Sequence, residues 1–560
     1  MNLAKIKRWF VVNKTIFTFF VIYLLVTLIV IFFHEIWEDE AQAWLTARDC
    51  SPIELIDRMK FEGHFLPWYI IIMPFAKLGL PFKTINVISW VISGISAWLI
   101  LKYLPCRISK RVIFIFTLPM VYLYPVIARC YCLIPLATIF LVMSYKDRFR
   151  QPAKYLFSIL LMANTHIYCF MFALFIGIEF LIDWFKRYKK LSRKQNRRLL
   201  ICITVVVFLA LLSYLPLIGS LENASVFEQH TGVELDIKHI LVGNPVSVMT
   251  IFSTLVPQPI IYVLIAMIIV PLFLYRRKMF VGLFISILWQ FFLFDNVFTI
   301  LLPQRAFIPT FFLMFFLFRR PQPSPWINNC SVGSLLFVAI LVILTITSGN
   351  LFCEALAFIS VLFLILPRLF KNKDPSVFLP YYTKAFSSAI LLLAIISLVE
   401  GFIYVKNEIE YPYSEALVTA DFIRNELNIN SDNAVFLTGT SDLIALTPLI
   451  AMQDDPDFRI FDINRETFFT YDPLDYKQKE PNKMNRIAEY CNIQKRPKCY
   501  YVANYDITRE SMTKMSNYSS SPIEQLLESG TLEPIFDSMT KNRDWNLTPT
   551  EHYRIYEIRH

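Results

Sequence analysis

Residues 15–33 read TIFTFFVIYLLVTLIVIFF, and residues 34–49 continue HEIWEDEAQAWLTARD. An uncharged apolar run of this length matches the roughly 20 residues needed to cross the hydrocarbon core of a bilayer. No small-residue cleavage pattern follows it, so it reads as an uncleaved first span. Lys5, Lys7, Arg8 and Lys14 precede the run, and Glu38, Asp39 and Glu40 lie just beyond it, between Trp37 and Trp44. Basic residues stay on the cytoplasmic side, which puts the N-terminus inside and the three acids outside. Carboxylates kept beside apolar helices at a membrane face are costly, and they point to ion handling or acid–base chemistry.

Composition widens the reading to the whole chain. Of its 560 residues 56% are hydrophobic, 16% aromatic and 18% charged, with a mean hydropathy of +0.49, which describes a polytopic α-helical membrane protein. The net charge of +10 sits in short Lys/Arg blocks at 102–111, 146–154, 186–198, 276–278, 319–320 and 368–384. Blocks between apolar runs follow the positive-inside rule and argue against a nucleic-acid partner. The alternate connections, around Arg129, around His166, at 219–243, at 295–305 and at 349–350, are nearly free of cations and face outward. Both sets agree only if the run at 65–78 does not cross. That run is broken by Pro67 and Pro74 and is closer to the ~10–14 residues of a re-entrant or interfacial segment. The remaining runs make about thirteen spans of roughly 20 residues, an odd number, so the C-terminus emerges outside. Pro119, Pro125, Pro216 and Pro271 kink several of them.

Hydrophobicity stops near Val405. The chain therefore divides into a transmembrane domain at 1–404, with a first outer loop at 34–83, and an extracytoplasmic α/β domain at 405–560. Strand-like runs in the latter are 434–439 (AVFLTG), 458–463 (FRIFDI), 499–504 (CYYVAN) and 553–558 (YRIYEI), with helices at 414–427 and 522–528. It lacks a Gly-rich phosphate loop and reads as a recognition or lid domain. Most cysteines fall in apolar runs, as small buried hydrophobes do. Cys491 and Cys499 instead lie in the polar segment on the oxidising side, where a bridge and two free thiols both remain open.

The outer loop carries two helix starts. Asp39 with Gln42 three residues on reads as an acidic N-cap, and Ser51-Pro52-Ile53-Glu54 as a capping box with proline at its first helical position. Trp37, Ala41, Trp44 and Leu45 share one face of the first helix, while Ile53, Ile56, Met59 and Lys60 suit an interfacial second helix. Asp39 can thus be a cap, a general base or both. His64 in EGHFLPWY (62–69) is either structural or a hydrogen-bonding group for a ligand. Arg129 and Arg305 are isolated cations on the outward side, where each calls for a structural ion pair with Glu38 or Glu40, or for a phosphate. His166 at an outer helix end serves packing or the site. The acids and histidines of 219–243 match no stringent metal spacing and read as a solvated loop.

In this layout the chain resembles the C-type superfamily of integral-membrane glycosyltransferases, which includes protein O-mannosyltransferases and the aminoarabinose transferases that modify lipid A. The resemblance runs over essentially the whole chain. It rests on the Asp39-Glu40 pair, the aromatic and proline-containing stretch 64–69, Arg129 with Tyr131, Arg305 between Pro303 and Pro309, and an outer C-terminal domain. It implies inverting transfer of a sugar from a polyprenyl-phosphate donor to a glycan, lipid or protein acceptor at the outer face of a plasma or inner membrane. Asp39 would be the general base and Glu40 an orienting group, with His64, Arg129, Tyr131, His166 and Arg305 on the donor phosphate and substrate. No cofactor is required, although the paired acids leave a divalent metal open. Many relatives carry consecutive prolines, often after a lysine, where this chain has Gly63-His64-Phe65-Leu66-Pro67, so the phosphate's partner is the least anchored part of the comparison. A lipid-linked glycan flippase or transporter and a surface-polysaccharide polymerase are the alternatives, followed by a non-enzymatic assembly or sensor protein. Acids gathered in an outer loop, and no internal repeat visible by eye, weigh against transport.

Overall fold

Helix α1 (Leu3–Phe33) is the long helix that the first apolar run predicts, and its stretch Asn13–Phe33 rises about 1.5 Å per residue, enough to reach across a ~30 Å core. The computed structural model describes residues 3–59, 65–231, 264, 267–268, 277–296, 303–317, 379–410, 414–427, 433–439, 443–453, 455–472, 486–494, 498–504, 526–527, 529–538 and 551–559. Among them five helices are long and apolar enough to cross a membrane: Asn13–Phe33, Thr84–Tyr103, Ile167–Lys190, Arg193–Tyr214 and Lys384–Glu410. Four shorter apolar helices accompany them. The chain is an integral membrane protein, and the count of thirteen spans extends into segments outside the described residues.

The outer loop folds as its caps predict, with one change. After α2 (Glu38–Asp49) comes α3 (Pro52–Arg58), where Ser51 Oγ accepts from Glu54 N at 3.3 Å and Glu54 Oε2 accepts from Ser51 N at 2.7 Å. Residues 65–78 form α4 (Leu66–Lys77), 12 residues and so roughly 18 Å long, too short to span alone. Trp68, Tyr69, Ile72 and Ala76 bury its inner face, and Lys77 Nζ ties its end to the carbonyls of Arg48 (3.1 Å) and Cys50 (2.7 Å). In α10 (Arg193–Thr231), counted after α5 (Thr84–Tyr103), α6 (Ile108–Ile115), α7 (Leu133–Ser144), α8 (Pro152–Ala163) and α9 (Phe170–Arg187), the helix runs on through 219–231, where a loop was expected. LENASVFEQ at 221–229 holds no proline or glycine to stop it. The rest of that stretch, 232–243, lies outside the described residues.

Between α6 and α7 the chain is broken, not merely kinked. Pro119 and Pro125 supply no N–H, and the segment runs as a π-helical turn at Pro119–Leu123 and a 3₁₀ turn at Cys130–Cys132. Irregular backbone survives at membrane depth only when protein satisfies its polar groups. Here Tyr23 Oη donates to Met120 O (2.8 Å), Ser89 Oγ to Tyr124 O (2.7 Å) and Asn86 Nδ2 to Val126 O (3.0 Å), while Ser397 Oγ accepts from Leu118 N (3.2 Å). After α11 (Arg277–Asn296) and α12 (Ile308–Leu317), α13 (Leu379–Glu410) crosses this break at Gly401, where a Cβ would stand 2.8 Å from Val121 Cγ1. No larger residue fits that approach unless the turn moves.

Helix α13 continues past Val405 to Glu410, and the α/β domain follows. Its six-stranded mixed sheet has the order β3-β2-β1-β4-β6-β5, from β1 (Ala434–Thr438), β2 (Ile460–Asp462), β3 (Thr467–Phe469), β4 (Lys498–Asn504), β5 (Leu532–Asp537) and β6 (Tyr553–Ile558). β1 pairs in parallel with β2 and β4, and the other pairs are antiparallel. All four anticipated strands are present; β3 and β5 are additional. The expected helix at 414–427 is realised by α14 (Ala416–Asp421) and a π-helical turn at Phe422–Glu426, whereas the one at 522–528 is described only at 526–527. One sheet face packs Phe436, Tyr500, Val502 and Ile555 around Leu45 of α2, so the domain sits on the outer loop. The opposite face buries Cys491 and Cys499 in one cluster, with no disulfide between them in this structure.

Candidate active site

Helix α2 is capped two residues before the position that the sequence suggests. Trp37 is the N-cap (φ −81°, ψ 149°), and Glu40 at N3 accepts its backbone N–H at 3.0 Å. An indole can only donate, so Glu40 supplies the side-chain half of the cap alone. Asp39 therefore occupies the second helical position, and its carboxylate is not the capping group. Three acids in the first turn suit the positive end of the helix dipole.

Released from capping, Asp39 pairs through Oδ2 with Arg129 Nη1. The guanidinium is almost wholly buried, at 7% side-chain exposure, whereas Asp39 keeps 27% and remains reachable. The structural reading of Arg129 calls for an ion pair with Glu38 or Glu40; the structure pairs it with the candidate base, with the charge of Glu38 also acting on it. It stands at the start of the 3₁₀ turn Cys130–Cys132, where the broken segment projects it toward α2. Its carbon Cζ lies 5.9 Å from the centre of the Tyr131 ring.

Tyr131 connects the remaining candidates. Its hydroxyl accepts from Arg305 Nε at 3.1 Å and lies 3.4 Å from His166 Nε2, and its ring stacks on His166 with centroids 5.2 Å apart. His166 Nδ1 accepts from Tyr168 N at 3.2 Å, which favours the tautomer carrying its proton on Nε2 toward Tyr131. The Tyr168 ring continues the stack at 4.9 Å from His166, with Arg305 Cζ 5.8 Å from its centre. Gln290 Nε2 donates to Arg305 O at 2.5 Å and fixes the backbone behind that arginine. Burial pushes the Arg129 guanidinium down, and the nearby Arg305 adds to the effect. Asp39, Arg129, Tyr131, His166 and Arg305, from four segments, thus meet in one aromatic-walled cluster. His64 lies outside the described residues. The cluster also contains Tyr168, which the sequence reading passed over although ANTHIYCF places it two residues after His166.

Glu40 occupies a different setting, with no exposed surface. Its Oε1 accepts from Asn86 Nδ2 (2.9 Å) and Ala128 N (2.5 Å), and its Oε2 from Trp37 N (3.0 Å) while meeting His34 Nε2 (2.8 Å). The other ring nitrogen, His34 Nδ1, meets Glu408 Oε1 at 2.5 Å, and Tyr122 Oη donates to Glu408 Oε2 at 2.6 Å. Lys83 Nζ donates to His34 O. Burial pulls the His34 imidazole down, but Glu40 and Glu408 outweigh it and hold the group up at about 9. Neighbouring Glu35 is pushed up to about 8 by burial and then by Glu415. Among the described residues no group of three or more His, Cys, Asp or Glu side chains is placed to hold a metal ion.

The sheet domain reaches the same turn. Glu551 Oε1 accepts from Glu38 N at 2.8 Å, and Thr447 Oγ1 donates to Glu38 O at 3.1 Å. Gln42 exchanges two hydrogen bonds with the Asp472 backbone (2.8 and 2.9 Å), and Arg58 Nη2 adds a third to Asp472 O (2.5 Å). The first outer loop, the end of α13 and the sheet domain therefore gather at one end of the helices, opposite the start of α1.

No family model matches the chain, and no curated protein matches it. Among solved structures it is similar to ArnT from Cupriavidus metallidurans bound to undecaprenyl phosphate, at 10% identity over 96% of this chain and 97% of that chain with a TM-score of 0.43. The apo state of ArnT from Cupriavidus metallidurans covers the same shares at 10% identity with a TM-score of 0.38. Overlap this loose assigns neither a residue nor a reaction.

Proposed function

We propose that this protein is a glycosyltransferase that moves a sugar from a polyprenyl-phosphate donor to an acceptor hydroxyl at the outer membrane face, with inversion and with Asp39 as general base. The observation that carries the proposal is the Asp39–Arg129 pair beside Tyr131, His166 and Arg305, a partly exposed carboxylate paired with a buried guanidinium and a second, part-buried guanidinium in the same cluster. Arg129 and Arg305 bring two guanidiniums into one cluster, and their planar forks suit a phosphate. While the ion pair persists, Asp39 Oδ2 is occupied; a phosphate seated on Arg129 competes for the guanidinium and frees the carboxylate. Asp39 then takes the acceptor proton, the acceptor oxygen attacks the anomeric carbon, and the bond to phosphate breaks with its electron pair going to the phosphate oxygen. Arg129 and Arg305 neutralise that leaving group. Glu40 holds the turn that carries Asp39, the sheet domain covers it, and the acceptor, whether glycan, lipid or protein, enters beneath the domain. The basic N-terminus then faces the cytoplasm, and the sheet domain lies outside.

The test is Asp39→Asn, assayed for donor binding and for transfer. The amide keeps the shape and loses proton acceptance, so donor should bind while transfer falls by roughly 10²–10⁴-fold. Wild-type transfer by the variant would remove Asp39 from the chemistry. The transport alternative draws on Glu400, buried within α13 with both oxygens unpartnered, since an intramembrane carboxyl of that kind often marks a path. Loss of lipid-linked glycan translocation in Glu400→Gln, with the Asp39→Asn protein fully active, would favour that second reading.

A further inference from the structure

His34 has no part in the reaction proposed above, yet it sits in a more exacting environment than any member of the pocket. It is the first residue after α1, its side chain has no exposed surface, and each ring nitrogen meets a different buried carboxylate. Neutral imidazole has one donor and one acceptor, whereas imidazolium has two donors, so two carboxylates on one ring are both satisfied only by the charged form. The surroundings are crowded with titratable groups. Glu40 comes from α2, Glu408 from α13 and Tyr122 from the broken segment, with Lys83 ahead of α5 and Glu35 next in sequence.

The two carboxylates lead to different places. Glu40 holds Trp37 N at the start of the turn bearing Asp39, and Ala128 N immediately before Arg129, so both halves of the Asp39–Arg129 pair hang on one carboxylate. Glu408 lies in the last turn of α13, the helix that leads into the sheet domain. His34 is the group that joins them, across 374 residues on one side and six on the other. We infer that His34 and Glu408 are positioning residues that set the Asp39–Arg129 pair through Glu40 and tie it to the end of the helix entering the sheet domain. Neither touches the space in front of Asp39, and neither moves a proton there, since both Glu40 oxygens are already occupied by partners.

This inference builds on the proposed role of Asp39, but its first readout does not need that role to be right. A water-soluble carbodiimide modifies reachable carboxyls, and peptide mass spectrometry locates the adducts. In the detergent-solubilised full chain, Asp39 should be slow to react because Arg129 holds it. In His34→Gln its modification should rise several-fold, with Asp462, buried in the sheet domain, unchanged as a control for folding. Glu408→Gln, nearly isosteric, should give a smaller rise in the same direction and serves where His34→Gln does not fold.

The second readout is transfer from a polyprenyl-phosphate sugar. kcat should fall about 10-fold in both variants with little change in donor KM. The alkaline limb of the pH profile should move to lower pH in Glu408→Gln, because the imidazolium loses one of its two counter-charges. A residue that only packs would lower expression without moving that limb. Unchanged Asp39 modification in both folded variants overturns the inference, whatever the protein transfers. Raised Asp39 modification in the variants, with a wild-type chain that transfers nothing, supports the positioning role and rejects the glycosyltransferase reading alone.

Discussion

Asp39 and Glu40 are adjacent on one helical turn but belong to different regions of the molecule. Asp39 has one ion-pair partner and a quarter of its side chain exposed; Glu40 lies in a sealed network and is occupied on both oxygens. A carboxylate with a single exchangeable partner can release it and accept a proton. One with four partners, sealed from water, can do neither without taking down what it holds. Reactivity and rigidity are thus divided between neighbours, because a helix aims consecutive side chains about 100° apart. The division also bears on where a base could lie if Asp39 were not it: Glu40 has no free lone-pair direction, and the search would move to Glu38 or to residues 219–243.

The comparison breaks most visibly if the two amides behave alike. Asp39→Asn should lose transfer by the 10²–10⁴-fold given above and also some stability, because Arg129 loses its counter-ion, but less than Glu40→Gln does, because the Asp39 carboxylate is partly exposed. Glu40→Gln should lose mainly stability. Its amide nitrogen would face the donors Asn86 Nδ2, Ala128 N, Trp37 N or His34, and it would leave the imidazolium short of one counter-charge. Removing one partner from a buried pair destabilises by about 3–5 kcal/mol. Thermal unfolding of both variants in detergent, beside a transfer assay, checks this. Equal stability of the two would mean that Glu40 is not the keystone its hydrogen bonds imply.

How far the sequence foretold this division depends on the distance between partners. Short-range signals translated well: the strands at 434–438, 498–504 and 553–558, the Ser51–Glu54 capping box, and a helix too short to cross at 66–77. Arg129 and Arg305 were legible because each is a lone cation in a connection that otherwise avoids Lys and Arg. The Asp39 cap was misplaced because Ser, Asp and Asn cap from the N-cap position, whereas here the bond comes from Glu40 reaching back to Trp37, a residue no cap preference favours. His34 and Glu408 left no trace. Their contact spans 374 residues, and a histidine next to a span end and a glutamate in an amphiphilic last turn each look solvated when read alone.

Raising the pH sharpens the contrast from the network's side. His34 is held up at about 9 against an ordinary value near 6.5, so the folded state keeps its proton where the unfolded chain does not. Its contribution is complete below about 6.5 and is lost as pH climbs through about 9, with an upper size on the order of 3 kcal/mol. Glu35 acts with the same sign, since its raised value, about 8, favours the protonated folded form and is lost as pH rises from about 4.5. Unfolding temperature should therefore fall between pH 6.5 and 9.5. His34→Gln should flatten the upper part of the slope and Glu35→Gln the lower. A profile that rises with pH would contradict both assignments.

On the pocket's side, Arg129→Lys and Arg305→Lys keep the charge and remove the planar fork. Losing the second of two charge-assisted bonds should weaken donor binding about 10-fold in each, measured by titration with an undecaprenyl-phosphate sugar or with undecaprenyl phosphate itself. Arg305→Lys should have a further signature, because Arg305 Nε also holds the Tyr131 hydroxyl and so indirectly the His166 ring. Donor affinity unchanged in both would leave the arginines as structural counter-ions of the cluster.

The smallest expected effect lies where the two regions share a cover. Gln42 exchanges hydrogen bonds with the carbonyl and the N–H of Asp472, but Arg58 Nη2 also donates to that carbonyl. Gln42→Ala therefore removes the bond to the Asp472 N–H while the carbonyl keeps Arg58, at about 1 kcal/mol. The remaining ties between the domain and α2, from Glu551 to Glu38 N, from Thr447 to Glu38 O and from Thr470 to Asp49 Oδ2, stay intact. The domain should stay seated but open more often, and limited proteolysis near Asp472 should speed up about 5-fold if cleavage follows the open population, since 1 kcal/mol is that factor at 25 °C. Transfer should change less than twofold, because the chemistry depends on Asp39 and its cluster. Should Gln42→Ala instead abolish transfer with proteolysis unaltered, the Gln42 side chain would belong to the substrate path, and the sheet domain would be more than a cover.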